Sequence, residues 1–104
     1  MSISYKVNNP FNQELLGEFP FSSKEEVEAQ LVLLKKGQKT LKNIPAHERS
    51  DILRRLSVLL DENSEKLAKL ITLETGKTIA DSRVEMVRAV NASIASSEEA
   101  RQII

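Results

Sequence analysis

The sequence predicts a mainly α-helical protein that begins with a β-hairpin. Apolar and polar residues alternate over residues 2–8, and a second short apolar run follows a turn-rich segment. Beyond residue 22, apolar residues recur at helical spacing, and residues that favour helix ends separate four such stretches. With 104 residues, the chain has the length of about one domain. We therefore divide it into a hairpin over 1–21 and a four-helix segment over 22–104.

The hairpin is predicted from alternation and from its turn residues. Ile3, Tyr5 and Val7 lie on one face of a strand over residues 2–8. Residues 9–12 favour a turn, because Asn tolerates the left-handed conformation and Pro fixes φ. Residues 14–19 form the second predicted strand, in which Gly17 marks a bulge. Two strands alone are marginally stable in water, so the hairpin needs a packing partner.

Local end signals predict the first two helices. Ser23 and Glu26 have the spacing of a capping box at the start of a helix over about 24–41, which Gly37 weakens by about 1 kcal/mol relative to Ala. Pro45 suits the first turn of the second helix. Asp51 and Arg55 are predicted to form an exposed pair, four residues apart. The predicted buried stripe of this helix is Ile52, Leu53, Leu56, Leu59 and Leu60.

The third and fourth helices are predicted from caps and from their apolar positions. Asn63 is expected to cap the third helix, and Gly76 is expected to follow its last turn. Thr78 is expected to cap the fourth helix, with Asp81 three residues later. Its apolar side becomes small after Val87, which permits close approach of another backbone. The apolar positions are Leu67, Leu70, Ile71, Val84, Val87 and Ile94, and the small ones are Ala89, Ala92, Ser93, Ala95, Ser96, Ser97 and Ala100.

Two further features of the helical segment are exposed pairs and a missing helix end. Glu62 with Lys66, and Glu65 with Lys69, have the spacing of exposed ion pairs. The fourth helix has no C-cap glycine and no proline before the two isoleucines at 103–104. We therefore expect the chain to be cut inside a larger domain.

Composition excludes several classes of function. The 15 basic and 15 acidic residues balance, and the modest basic face of Lys35, Lys36, Lys39 and Lys42 does not predict nucleic-acid binding. The chain has no cysteine, which excludes a disulfide scaffold, an iron–sulfur cluster and a cysteine nucleophile within it. No stretch is apolar enough for a signal peptide or a membrane span. We expect a cytoplasmic protein that binds neither nucleic acid nor membrane.

Three stretches in fixed order carry a resemblance to a known family. They are NPFNQELLGEFP at 9–20, IPAHERSDIL at 44–53 and LAKLITLETGKTIADSRVE at 67–85. Together they resemble the N-terminal segment of the aldehyde dehydrogenase superfamily, and the resemblance covers essentially the whole chain. Residues 88–90 and 97–101 look more like its lactaldehyde and non-phosphorylating glyceraldehyde-3-phosphate dehydrogenase branch. Many other branches carry an aromatic stretch where this chain has residues 95–97, ASS, so the substrate is left open.

The resemblance implies an enzyme that oxidises an aldehyde to a carboxylic acid with NAD or NADP. In the family a cysteine thiolate attacks the aldehyde, backbone and Asn donors stabilise the oxyanion, and a Glu activates water. This chain has no cysteine and no glycine-rich strand–turn–helix motif. We therefore expect it to be the structural N-terminal part of one incomplete cofactor-binding domain of an α/β fold. Alone it should be inactive and bind no cofactor, and the aldehyde would bind to the missing domains.

Two candidate functional sites have simpler structural interpretations. His47 is the one histidine, and its predicted place in the first turn of a helix favours a solvated side chain over a catalytic group or a metal ligand. The Glu74–Lys77 segment, ETGK, lacks the spaced glycines of a phosphate-binding loop and is predicted to end a helix. We assign no catalytic, cofactor-binding or metal-binding residue to this chain.

Four charged or polar residues match positions of the family. Arg49 and Glu85 are expected to form buried or interhelical ion pairs rather than to contact a substrate. Arg88 and Asn91 lie on the fourth helix, which the resemblance places near the substrate entrance.

Two alternatives remain open at this stage. The chain could be a stand-alone helical interaction module without enzymatic activity, pairing with a partner through the stripe that ends at 94–104, or a regulator that docks onto intact aldehyde dehydrogenase subunits. A segment separated from its sheet should expose apolar helix faces and self-associate through them. A self-sufficient module should instead unfold cooperatively as a defined species.

Overall fold

A computed structural model describes residues 3–103 of the chain. Two antiparallel strands, β1 (Ser4–Asn8) and β2 (Leu15–Pro20), precede four helices. The helices are α1 (Lys24–Lys42), α2 (Ala46–Glu62), α3 (Ser64–Thr75) and α4 (Ile79–Gln102). The predicted element order is confirmed, although Ser2 and Ile104 lie outside the described residues. None of the helices in the described part is long and apolar enough to cross a membrane.

The hairpin turn is held by side chains that imitate backbone groups. Asn9 Oδ1 accepts from the Phe11 amide at 2.9 Å, and Asn12 Oδ1 accepts from the Glu14 amide at 3.0 Å. The left-handed residue of the turn is Gln13, with φ 63°, and not one of the asparagines as the sequence suggested. Register shifts where Val7 pairs with Gly17 and Asn8 with Leu15, so the extra residue of the bulge is Leu16 rather than Gly17.

Most of the predicted helix caps are confirmed. Ser23 and Glu26 form a complete capping box, and Thr78 Oγ1 accepts from the Asp81 amide at 3.2 Å. Gly76 ends α3 in the left-handed conformation, φ 78°. Pro45 occupies the N-cap of α2, one residue before the first turn. The cap predicted for Asn63 is wrong, since its side-chain amide donates backward to the Leu59 carbonyl at 2.8 Å and makes no bond to α3.

The core of the described chain is the contact of α4 with α2 and α3. It is built from small residues, because Ser82 and Ser97 of α4 are fully buried and Ser50 and Ser57 of α2 are 3 % exposed. Ala68 of α3 and Met86 of α4 supply its buried apolar side chains. The expectation that small residues on α4 allow close approach is confirmed for Ala89, Ser93, Ser97 and Ala100, while Ala92, Ala95 and Ser96 remain exposed.

The stripe predicted for α2 is only partly buried. Leu53 and Leu60 turn toward the core, but Ile52, Leu56 and Leu59 are exposed on another face. The reason is that Ser50, Leu53, Ser57 and Leu60 share the face that packs on α4, and the larger side chains lie outside it. Leu70, Val84 and Val87 are exposed for the same reason, since none lies on the helix faces that pack together.

Neither α1 nor the hairpin packs extensively on this helical core. The hairpin turn approaches the core at Gly76, where a Cβ atom would lie 3.2 Å from Cγ of Pro10. The radius of gyration is 18.0 Å, whereas a compact domain of this length has about 13 Å. The described chain is therefore extended, with a packed centre and two outlying elements.

We predict that Ser97→Leu destabilises the helical core by about 1–3 kcal/mol, because the larger side chain forces α2 and α4 apart. Its matched control is Ser96→Leu, one position earlier on the exposed side of α4. Urea unfolding followed by circular dichroism measures both. Equal effects of the two substitutions would contradict the tight α2–α4 contact.

Candidate functional site: polar clusters and unpartnered faces

The buried hydroxyls of the core are all satisfied within the described residues. The Ser57 hydroxyl donates to the Arg54 carbonyl, and the Ser97 hydroxyl donates to the Ile94 carbonyl, each at 2.6 Å within its own helix. The hydroxyls of Ser82 and Thr72 lie 2.8 Å apart, which joins α4 to α3. Because no buried side-chain oxygen lacks a partner, the core offers no unused polar group that would point to a bound ligand.

The helix ends of the core are joined by charged side chains. Arg101 of α4 donates through Nε to the Ser50 hydroxyl at 3.0 Å and lies 3.6 Å from the Asp51 carboxylate. Asp51 therefore pairs across the core and not with Arg55, as the spacing had predicted. This contact fixes the last turn of α4 against the first turns of α2.

A second charged pair joins α3 to α4. The Arg83 guanidinium donates two hydrogen bonds to the Glu65 carboxylate, from Nε at 3.1 Å and from Nη2 at 2.7 Å. Hydrogen bonding to Arg83 lowers the pKa of Glu65 below its usual 4.5, and the same bond raises the pKa of Arg83. The predicted pairs of Glu65 with Lys69 and of Glu62 with Lys66 are not formed among the described residues.

Arg49 joins α1 to α2. Its Nη2 donates to the Leu41 carbonyl at 2.5 Å and its Nε donates to the Ile44 carbonyl at 3.0 Å. The expected ion pair of Arg49 is not formed within residues 3–103. Instead the guanidinium donates to two carbonyls around the end of α1, of which the Leu41 carbonyl also accepts from the Ile44 amide at 3.1 Å. Since α1 makes no extended contact elsewhere, this clamp and the 43–45 turn set its direction.

The remaining sequence candidates do not gather into a catalytic cluster in the described structure. His47 is exposed in the first turn of α2. Lys77, at the α3–α4 joint, forms an exposed ion pair with Glu85. The buried or interhelical pair predicted for Glu85 is therefore not formed among the described residues, because its partner lies between the two helices. The residues that line a shallow depression beside this pair are Lys77, Asp81, Val84, Glu85 and Arg88.

Arg88 and Asn91 are both exposed on α4. Neither makes a side-chain hydrogen bond or an ion pair with another described residue. No group of three His, Asp or Glu side chains is placed to hold a metal ion in the part of the chain that the structure covers.

Large apolar side chains are the most prominent unexplained feature of the surface. They form three sets: one on α1, one on α2 at Ile52, Leu56 and Leu59, and an aromatic cluster on the hairpin. In that cluster the ring of Tyr5 lies 5.5 Å from Phe19 and 5.1 Å from Phe21. Exposed apolar helix faces are what the sequence analysis expects of a segment separated from its sheet, although it had placed Ile52, Leu56 and Leu59 in a buried stripe.

The exposed area measures how much packing is missing. The chain exposes 8497 Å², whereas a compact monomer of its 11.7 kDa mass exposes about 5900 Å². The excess exceeds the roughly 800 Å² per partner that a standard protein interface buries. The described elements are therefore a part of a larger packed unit or of an assembly.

Solved structures of aldehyde dehydrogenases contain the same arrangement of elements. An NAD-dependent benzaldehyde dehydrogenase from Corynebacterium glutamicum matches with a TM-score of 0.89 and 28 % identity, over 94 % of this chain and 21 % of its own. An NADP-dependent glyceraldehyde-3-phosphate dehydrogenase from Bacillus halodurans matches with a TM-score of 0.89 and 30 % identity, over 93 % and 20 %.

Sequence comparison points to the same family. The chain is 52 % identical over 103 residues to a sulfoacetaldehyde dehydrogenase from Neptuniibacter caesariensis, covering 99 % of this chain and 23 % of the relative. It is 40 % identical over 86 residues to malonate-semialdehyde dehydrogenase 1 of Bacillus anthracis, covering 83 % and 18 %. Residues 2–104 of this chain match the model of the aldehyde dehydrogenase family.

The chain belongs to the aldehyde dehydrogenase family, as its sequence predicted. It spans less than a quarter of the length of the relatives and structures it matches. The finer resemblance to the lactaldehyde and non-phosphorylating glyceraldehyde-3-phosphate branch stays a prediction, since these neighbours differ in substrate.

We predict that Arg49→Met loosens the direction of α1 without unfolding α2–α4, because it removes both bonds to the carbonyls around the end of α1. The chain has no native cysteine, so Glu25→Cys and Glu74→Cys place two spin labels, on α1 and α3. Their distance distribution should broaden with Arg49→Met and stay unchanged with Arg54→Met, an exposed control on the same helix. An unchanged distribution in both variants would contradict the clamp.

A second prediction concerns pH. Because the pKa of Glu65 is lowered in the folded chain, its ion pair stabilises the fold above the unfolded pKa. That contribution is lost as the pH falls through the folded pKa. Glu65→Gln should therefore reduce the free energy of unfolding at neutral pH and have no effect in acid below that pKa.

The control for this series is Glu62→Gln, an exposed carboxylate without an ion pair among residues 3–103. Denaturant unfolding of the three proteins from neutral to acidic pH gives the comparison. A Glu65→Gln effect that persists in strong acid would contradict the ion-pair origin of the stabilisation.

Proposed function

We propose that this chain is the N-terminal structural part of an NAD(P)-dependent aldehyde dehydrogenase, which oxidises an aldehyde to a carboxylic acid. Nearly the whole chain matches one continuous segment of such enzymes, in sequence and in fold, and this observation carries the proposal. The hairpin over 1–21 and the helices over 22–104 would both belong to one cofactor-binding domain. By the same reasoning the longer protein is cytoplasmic and oligomeric.

The residues of this chain do not fit a dinucleotide site. Gly17 lies in β2, Gly37 within α1 and Gly76 at the end of α3, so none stands at a strand-to-helix turn. At the strand-to-helix turn between β2 and α1, the side chains of Ser23 and Glu26 already accept from each other's backbone amides. We therefore place the binding of NAD or NADP, and every catalytic group, outside this chain.

The role that remains for the chain is to support the rest of the enzyme. The exposed face of α2 and the aromatic cluster of the hairpin present apolar surface that does not face the α2–α4 core. In the proposed enzyme these surfaces pack against the remaining three quarters or more of the family fold. In the 104-residue chain alone, exposed helix faces would drive self-association.

The names of two relatives support a substrate class. Sulfoacetaldehyde and malonate semialdehyde are short aldehydes that carry a sulfonate or a carboxylate. We propose that the enzyme containing this chain also prefers a short aldehyde with an acidic group. Arg88 is the described residue that suits such a group, because its guanidinium is exposed and has no ion pair among residues 3–103.

The test uses the longer protein that the proposal requires and the 104-residue chain beside it. The longer protein should reduce NAD or NADP with sulfoacetaldehyde or malonate semialdehyde, and the 104-residue chain should not. Reduced nicotinamide is followed by its absorbance. Activity of the 104-residue chain, or no activity of the longer protein with any aldehyde, would contradict the proposal.

We further expect Arg88→Ala to raise KM for the acidic aldehydes by about tenfold, because a charge-assisted hydrogen bond contributes about 1.5–3 kcal/mol. KM for propanal should not change. Arg54→Ala, on the exposed side of α2, is the matched control. An equal rise in KM for acidic and neutral aldehydes would remove Arg88 from substrate recognition.

The stand-alone interaction module remains the alternative function. The exposed apolar stripes would then be its partner surface, and the longer protein would not exist. The expanded shape of the described chain favours the enzyme segment over this alternative, because a self-sufficient module of this length is normally compact.

A further inference from the structure

Three charged side chains follow one another along the start of α4. Lys77 lies in the joint before the helix, Glu85 lies in its second turn, and Arg88 follows about one turn later. All three line the same shallow depression, together with Asp81 and Val84. The Glu85 carboxylate therefore lies between two cations along the helix.

Glu85 is paired with one of these two cations. Its Oε1 accepts from Nζ of Lys77, and both side chains are partly exposed. Arg88 makes no side-chain hydrogen bond or ion pair with another described residue. Because an exposed ion pair contributes little stability, loss of Lys77 would leave Glu85 free to pair elsewhere without unfolding the helix.

Helical spacing makes Glu85 the local competitor for Arg88. Side chains three or four residues apart on a helix are neighbours. The four such positions around Arg88 are Val84, Glu85, Asn91 and Ala92. Of these, Glu85 is the one that carries a charge. The Asp81 carboxylate is seven residues away, which is about 10 Å along the helix axis. Without Lys77, the carboxylate at pairing distance from Arg88 is that of Glu85.

Competition for Arg88 affects the binding of an acidic ligand. A guanidinium binds an anionic oxygen group through charge-assisted hydrogen bonds. An acidic ligand must displace any carboxylate that already occupies those donors, so its apparent affinity falls by the fraction of Arg88 that is occupied. By engaging Glu85, Lys77 removes this competitor.

We propose that Lys77 is a positioning residue for substrate binding: it holds Glu85 away from Arg88 and so keeps the Arg88 guanidinium free for the acidic group of a short aldehyde. The inference rests on the function proposed above, in which Arg88 binds that group. It adds roles for Lys77 and Glu85, neither of which touches the substrate. The effect is on binding, so KM changes and kcat does not.

Kinetics of the longer protein give the first test. Lys77→Met should raise KM for sulfoacetaldehyde and malonate semialdehyde about three- to fivefold, because Glu85 then competes with the strength of an exposed ion pair. Neither kcat nor KM for propanal should change. The matched control is Arg83→Met, which breaks the other ion pair between α3 and α4 and frees Glu65 instead. It should leave KM for the acidic aldehydes unchanged.

The double variant distinguishes positioning from direct contact. Lys77→Met/Glu85→Gln should return KM for the acidic aldehydes to within about 1.5-fold of the original, because the freed competitor is gone. Lys77→Arg should preserve KM, since arginine also pairs with Glu85. A KM that stays raised in the double variant would mean that Lys77 itself binds the substrate and would overturn the proposal.

A spectroscopic measurement on the 104-residue chain follows Arg88 directly. Hydrogen exchange of the Arg88 Nε–H group, assigned by its loss in Arg88→Ala, reports whether the guanidinium is occupied by a carboxylate. Exchange should slow in Lys77→Met by about the factor by which KM rises, because both depend on the free fraction of Arg88. It should recover in Lys77→Met/Glu85→Gln. Exchange that is unchanged in Lys77→Met would overturn the proposal.

Failure of this proposal is distinct from failure of the proposed function. If the longer protein oxidises no aldehyde, both fall. If it oxidises acidic aldehydes with a KM that depends on Arg88 but not on Lys77, the enzymatic function stands and the positioning role of Lys77 is overturned.

Discussion

The close contact between α2 and α4 is the constraint on which the rest of the described structure depends. The facing positions of the two helices hold serine rather than a larger apolar residue, so the helices approach closely. These serine side chains are almost completely buried. Each buried hydroxyl has a hydrogen-bond partner, which removes the cost of burying it. Arg101 and Ser50 then fix the register of the two helices at one end.

Small core residues have a consequence for the large ones. Because serine and alanine occupy the packed faces, most of the leucine, isoleucine and valine side chains point elsewhere. The core therefore buries little apolar area of its own, and the helices carry apolar surface outward. This is the pattern expected for a layer that lies against other layers of a larger fold, and it agrees with a chain that spans less than a quarter of its relatives.

Residues close together in the sequence predicted most of the helices and strands, but they did not predict which distant residues pack together. The capping box at Ser23, the cap at Thr78 and the left-handed Gly76 follow from groups within a few residues of each other, so a single sequence contains them. A few local predictions are also wrong, such as the cap at Asn63, whose side chain bonds back to Leu59. The other wrong predictions concern partners far along the chain. Spacing alone paired Asp51 with Arg55, whereas the fold brings Asp51 to Arg101.

The buried face of α2 shows the same limit. Hydrophobicity favours Ile52, Leu56 and Leu59 as core residues, but the partner helix α4 selects the face with Ser50 and Ser57. Arg49 had a signal in the sequence, because it matches a family position, but the carbonyls that it contacts became visible only with the packing.

The central proposal is that these elements are one segment of a larger dehydrogenase, since the chain spans less than a quarter of the relatives it matches. The measurement that tests it most directly is the intact mass of the native gene product, purified from its own cells. The account predicts a mass several times the 11.7 kDa of this chain. A native product of 11.7 kDa would contradict the account and leave a short protein whose exposed faces need another explanation.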